Sequence, residues 1–189
     1  EISDDGKIYT FKIRDGVKFS DGTVCDANAI LANFNAIIEN KERHTWLEMM
    51  NLLVGVSAPD DHTFVIELSE AYYPMLTELG CIRPFAMISP ECMINGSTKD
   101  GVNGYIGTGP YVLTDFVTDE YAVFERNENY WGEKPAIQKI TVKVIPDNQT
   151  RIMALESGEI DLIFGKNMLD ADAISQYVDS DKFTVSLSD

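Results

Sequence analysis

Tyr9-Thr10-Phe11-Lys12-Ile13-Arg14-Asp15-Gly16-Val17-Lys18-Phe19-Ser20-Asp21-Gly22 is the stretch from which the fold is read. Tyr9, Phe11 and Ile13 alternate with Thr10, Lys12 and Arg14, the period of a strand with one buried face. Asp15-Gly16 and Ser20-Asp21-Gly22 are turn signals on either side of two apolar side chains, Val17 and Phe19. Downstream, Asp26 is an N-cap, and Ala27, Ile30, Leu31, Phe34 and Ile38 recur at helical spacing. One helix is therefore expected from Ala27 into Glu39 and Asn40. Upstream, Glu1-Ile2-Ser3-Asp4-Asp5-Gly6 reads as the approach to the strand, and as cut from something longer.

The pattern continues outward as hairpins mixed with helices. Residues 54–58 and 63–68 flank Pro59-Asp60-Asp61-His62, with Phe64, Ile66 and Leu68 on one face of the second strand. Tyr72-Tyr73-Pro74 starts a short helix through Leu79. Residues 91–104 read as loop with a short helical piece. Gly107-Thr108-Gly109-Pro110 turns into a strand over 111–116, which pairs with 121–126; a further strand covers 140–145. A helix over 148–156, with Ile152 and Leu155 inward, ends at Gly158. A short buried strand is expected over 160–164, then a helical turn or two and a polar strand in the tail. The sum is an α/β chain with a mixed sheet, forming one unit or one lobe.

Composition limits function. A net charge of −16 argues against general affinity for nucleic acid or an acidic membrane, which need a basic footprint. No apolar run approaches the roughly 20 residues of a membrane span. Cys25, Cys81 and Cys92 match no zinc spacing, and no obligatory disulfide is expected. Gly107-Thr108-Gly109 lacks the Lys-Ser/Thr and the following helix of a phosphate loop. His44 and His62 are too far apart for a zinc-hydrolase helix, and no acidic pair is singled out for glycoside hydrolysis. A hydrolase is kept only as a contrasting alternative.

Arg83 is the exception among otherwise ordinary residues. It lies between Leu79-Gly80-Cys81-Ile82 and Pro84-Phe85, where a guanidinium must reach solvent, pair with a carboxylate or face a pocket. Arg43 follows a helix, where a cation complements the dipole, and Trp46 is by composition alone a core residue.

Four stretches carry a resemblance to a known family. They are residues 4–22, Gly107-Thr108-Gly109-Pro110-Tyr111, Arg126-Asn127-Glu128-Asn129-Tyr130-Trp131-Gly132, and Ala154-Leu155-Glu156-Ser157-Gly158-Glu159-Ile160-Asp161. In this order they resemble the peptide/nickel (family 5) solute-binding proteins of ABC transporters. Arg43-His44-Thr45-Trp46-Leu47-Glu48, Ala71-Tyr72-Tyr73-Pro74 and Arg83-Pro84-Phe85 are similar to its nickel-binding branch.

That resemblance implies a periplasmic-binding-protein-like (type II) fold. Residues 1–189 would be part of the N-terminal lobe with its inserted subdomain, the C-terminal lobe and hinge strands lying elsewhere. It implies capture of nickel as a complex with a carboxylate-bearing chelator, histidine or another metallophore, for delivery to ABC permease subunits. Arg83 would grip chelator carboxylates, Arg43 would assist, and Trp46 would form an apolar wall. A histidine from the C-terminal part can complete the metal's shell; His44, in its loop setting, is not counted as a ligand. No covalent cofactor, no metal ligand within these residues and no catalysis are expected. The protein would be a monomer outside the cytoplasm, in a periplasm or lipid-anchored. A peptide, dipeptide or haem receptor of the same family is the alternative.

Overall fold

The computed structural model describes residues 1–165 and 168–186. The chain divides into two units, the first comprising 1–115 and 123–141, the second 116–122 and 142–189.

The first unit is organised by the opening strand. β1 (Ile8–Lys12) pairs antiparallel with β3 (Thr63–Leu68), setting Tyr9 opposite Ile66 and Phe11 opposite Phe64. β2 (Leu53–Asp60) pairs along the other edge of β3, so the sheet order is β1-β3-β2. Phe64, Ile66 and Leu68 are buried, as a period of two requires of a half-buried strand. α1 (Ala27–Glu39) covers this face, with Asp26 accepting from the Ala29 N–H as its cap. Phe34 packs against Phe64 at 4.8 Å and against Phe85 at 5.7 Å between ring centroids. Leu47, Met49, Met50 and Met75 complete the core from α2 (Glu48–Leu52) and α3 (Met75–Glu78). Val17 and Phe19 close a second cluster with Cys25 and Ala29.

α1 is buried on more than the expected stripe: Asn33, Ala36 and Ile37 are buried too, while Ile38 is half-buried. The reason is a second cover on that side, formed by the chain after α4 (Ile82–Phe85) and by a hairpin. This hairpin, β4 (Met93–Ile94) and β5 (Ser97–Val102), corrects the loop reading of 91–104. Asn95 and Gly96 at its turn have φ of 54° and 75°, the conformation that makes Asn-Gly a strong short-hairpin signal.

β6 (Tyr111–Val117), β7 (Tyr121–Arg126) and β8 (Lys139–Lys143) form the third sheet, in the order β6-β7-β8. Asn127, only 2% exposed, donates to the Gly109 carbonyl and accepts from the Asn129 N–H. That bond ties together two of the sequence stretches that carry the family resemblance. Arg14 lies over the Trp131 ring at 4.8 Å, joining a third.

In the second unit, α5 (Asn148–Ser157) is capped by Asp147 and ends at Gly158, whose φ of 77° a side chain would strain. Ala154 is its buried residue, with Ile152 and Leu155 half-buried. α6 (Ala171–Ser175) follows, capped by Asp170. The strand expected over 160–164 is absent: Leu162 and Phe164 are 71% and 87% exposed. Among the described residues no strand edge offers this run hydrogen bonds, and an apolar run without a ladder partner is no strand. Residues 182–186 are likewise irregular, not the polar strand expected; Leu187, Ser188 and Asp189 lie outside the described residues. No described helix is long and apolar enough to cross a membrane.

Candidate functional site

The residues singled out by sequence lie in the first unit, on the two segments that enter and leave the α2–α3 region. A single turn of 3-10 helix, Lys41–His44, follows α1 and carries Arg43. Asn40 begins it, accepting from the Arg43 N–H at 2.9 Å while its own amide donates to Ala36 at 3.0 Å. Leu47 is buried, and this anchors the end of the loop. Trp46, one residue earlier, is 62% exposed and is not the core residue its composition suggested. Residues 45 and 46 form an exposed turn between the 3-10 helix and α2, and the chain re-enters the core only at Leu47.

Arg83 has extended backbone, φ −107° and ψ 125°, and its side chain is exposed. Phe85, two residues on, is buried against Phe34. Of the three fates open to an arginine in this apolar run, reaching solvent is the one adopted. Among the described residues neither Arg43 nor Arg83 has a side-chain hydrogen bond or ion pair. Both forks are therefore free for an incoming acceptor.

A cavity of about 250 Å³ lies between the end of α1, the 3-10 turn, residues 84–88 and β5. Arg43 and His44 line it, facing Pro84 and Ile88, with Asn40 and Thr98 adding an amide and a hydroxyl. Arg43 thus meets the segment that carries Arg83, whereas Arg83 and Trp46 are outside the lining. His44 and Thr98 were not counted as site residues. Adjacency to Arg43 was a signal for His44. Thr98 carries none, since its stretch reads as loop from sequence. Among the described residues no group of three or more His, Cys, Asp or Glu side chains could hold a metal ion.

The far wall of the cavity is held by one buried amide. Asn33 donates to the Ile88 carbonyl at 2.9 Å and accepts from the Ile88 N–H at 3.0 Å, and also donates to Ala29 at 2.9 Å. This two-point clamp replaces a strand partner for residue 88. Asn33→Leu keeps the volume but strands both Ile88 groups, and is expected to cost about 1–3 kcal/mol. Urea unfolding measures the loss, and native-state exchange of the Ile88 amide should accelerate with it.

His44 has its pKa lowered, first by burial and then by the Arg43 charge. The unfolded chain, near 6.5, therefore binds the proton more readily than the folded one. Stability present above that value falls as pH drops through it toward the lowered folded value. His44→Gln is expected to flatten this part of the stability–pH curve; an unchanged slope would contradict the assignment.

Residues 1–187 match the family described as bacterial extracellular solute-binding proteins, family 5 Middle. The chain belongs to family 5 of these proteins. Over 187 residues it is 46% identical to the "Nickel-binding periplasmic protein" of Escherichia coli K12, covering 98% of this chain and 36% of that one. NikA from Brucella suis, solved in complex with Fe(III)-EDTA, matches with a TM-score of 0.91 and 47% identity, over 94% of this chain and 36% of that chain. The ABC transporter-associated periplasmic binding protein DppA from Helicobacter pylori, in complex with the peptide STSA, matches with a TM-score of 0.77 and 28% identity, over 93% of this chain and 38% of that chain. The chain spans about a third of the length of these relatives. The α/β fold expected of the family is the one observed.

Proposed function

We propose that this chain is part of the substrate-binding component of an ABC importer that captures nickel as a complex with a small carboxylate-bearing chelator. The chelator would be histidine-like or another metallophore, and the complex would pass to permease subunits in the membrane. The reading places the protein outside the cytoplasm, in a periplasm or lipid-anchored at the surface, as a monomer that binds without catalysing. Residues 1–189 would supply part of one lobe of the receptor.

One observation carries the reading: on segments that meet at the cavity, Arg43 and Arg83 present guanidinium groups that have no partner among the described residues, and Trp46, three positions after Arg43, exposes its indole. A planar fork matches a carboxylate in two-point fashion, and each charge-assisted bond contributes about 1.5–3 kcal/mol. Trp46 supplies an apolar wall against the chelator's carbon skeleton. The protein's net charge of −16 is no obstacle, because the site's local charge is set by the arginines. The similarity to a nickel-binding protein and to a structure holding a metal carboxylate chelate supports this class of ligand.

Calorimetric titration of the protein expressed from its complete reading frame tests the proposal. Nickel with histidine should bind, and nickel alone, haemin and short peptides should not. Saturable peptide or haemin binding in place of the chelate would overturn it in favour of another receptor of the family. The 189-residue chain alone is expected to bind weakly, since a ligand enclosed on one side keeps much of its hydration. Sub-micromolar affinity of that chain would contradict this expectation.

A further inference from the structure

Glu78 closes α3, is not among the residues that line the cavity, and collects three donors on its carboxylate. Tyr72 Oη donates to Oε1 at 2.7 Å, the Glu48 N–H to Oε1 at 3.2 Å and the Met49 N–H to Oε2 at 2.9 Å. The last two are the opening amides of α2, whose own cap position holds Leu47 and provides no side-chain acceptor. A helix start must find acceptors for its free N–H groups, and here they come from another segment of the chain. Glu78 also accepts through its main-chain carbonyl from the Cys81 N–H at 2.9 Å, at the start of the run leading to Arg83. Tyr9 of β1 backs the arrangement by donating to the Tyr72 carbonyl at 3.0 Å. The hydrogen bond to Glu78 and the loss of hydration push the Tyr72 phenol up to about 12, as expected of a hydroxyl that donates to a carboxylate.

We propose that Glu78 is a positioning residue for the ligand site: through its side chain it fixes the loop carrying Arg43 and Trp46, through its carbonyl the run carrying Arg83, and so sets the spacing between the two. The inference rests on the reading that these three residues take the ligand. Glu78 itself touches none of it. Two forks can grip one small chelate only at one separation, so an error of about an ångström between the segments is enough to lose a two-point contact. The sequence Arg43 to Glu48 and the sequence Glu78 to Arg83 are each short, so little slack lies between the anchor and the guanidinium groups.

Glu78→Gln offers one acceptor oxygen where three donors converge, and leaves one opening amide of α2 facing an NH2 group. Affinity of the protein from its complete reading frame for the nickel–histidine complex should fall about tenfold, a loss of one good hydrogen-bond's worth of registration. Phe19→Leu, in the separate cluster of Val17 and Cys25, is the control for general loss of stability and should leave affinity unchanged. Undiminished affinity in Glu78→Gln, or an equal loss in Phe19→Leu, overturns the proposal. Should Glu78→Gln not fold, Glu78→Asp decides: it keeps the charge but retracts it by one methylene, and a partial loss is expected. If the wild-type protein does not bind the complex at all, the functional reading fails, and ligand-free amide exchange decides the positioning role. Glu78→Gln should then speed exchange over 41–47, the arm held by the side chain, relative to Phe19→Leu, while 81–86, held by the main-chain carbonyl that Gln retains, should change less. Acceleration confined to the amides of Glu48 and Met49 would overturn it.

Discussion

Arg83→Ala is expected to weaken binding of the nickel–histidine complex by roughly ten- to a hundredfold, the equivalent of losing about 1.5–3 kcal/mol of charge-assisted hydrogen bonding. The fork is exposed and has no partner among the described residues, so its removal strands no buried group. Stability should therefore change by no more than about 0.5 kcal/mol. The combination of a large binding loss with an unmoved urea midpoint separates a ligand contact from a structural one. Arg83→Lys should recover only part of the affinity, because an ammonium is a point charge and cannot make the paired contact. Calorimetry on the three proteins reads all of this, and wild-type affinity in Arg83→Ala would remove the proposed role. Arg43→Ala should cost less if Arg43 only assists.

The largest loss of stability is expected from Phe34→Ala. Phe34 is 3% exposed and lies between Phe64 of β3 and Phe85 of α4. Truncating a ring at such a position removes its transfer energy and leaves a cavity that a packed neighbourhood fills only in part, costing about 3–5 kcal/mol. Against a typical total of about 5–15 kcal/mol this is a large fraction. The urea midpoint should drop sharply, and Phe34→Leu, which refills part of the volume, should lose much less. A loss below about 1 kcal/mol in Phe34→Ala would show that the three rings are not the centre of this core. Because Phe85 leans on Phe34, the variant should also loosen the segment bearing Arg83 and weaken binding, unlike Arg83→Ala, together with stability.

Much of the scaffold was legible in the chain. Tyr9, Phe11 and Ile13 announce β1, Asp26 and the spacing to Phe34 announce α1, and Asp147 with Gly158 brackets α5, because each signal is local and its period survives packing. The hairpin of β4 and β5 was missed although Asn95-Gly96 marks its turn: its strands carry few β-formers, and only α1 beside them makes the pairing pay. The exposed run 160–164 failed the other way. Its apolar residues promise a strand, but a strand needs a neighbour, which composition does not report.

Taken alone, the sequence determined the family, the opening strand and helix, and the identity of the residues worth testing, Arg43, Trp46 and Arg83. Tertiary structure alone decided that Trp46 faces solvent while Leu47 is buried, that His44 and Thr98 share a cavity with Arg43, and that Asn33 and Glu78 are buried or half-buried acceptors serving distant backbone. The physical reason is range. Periods, caps and turns are set by neighbours within a few residues, whereas a clamp from Asn33 to Ile88 or from Glu78 to Met49 exists only once the chain has brought the two ends together.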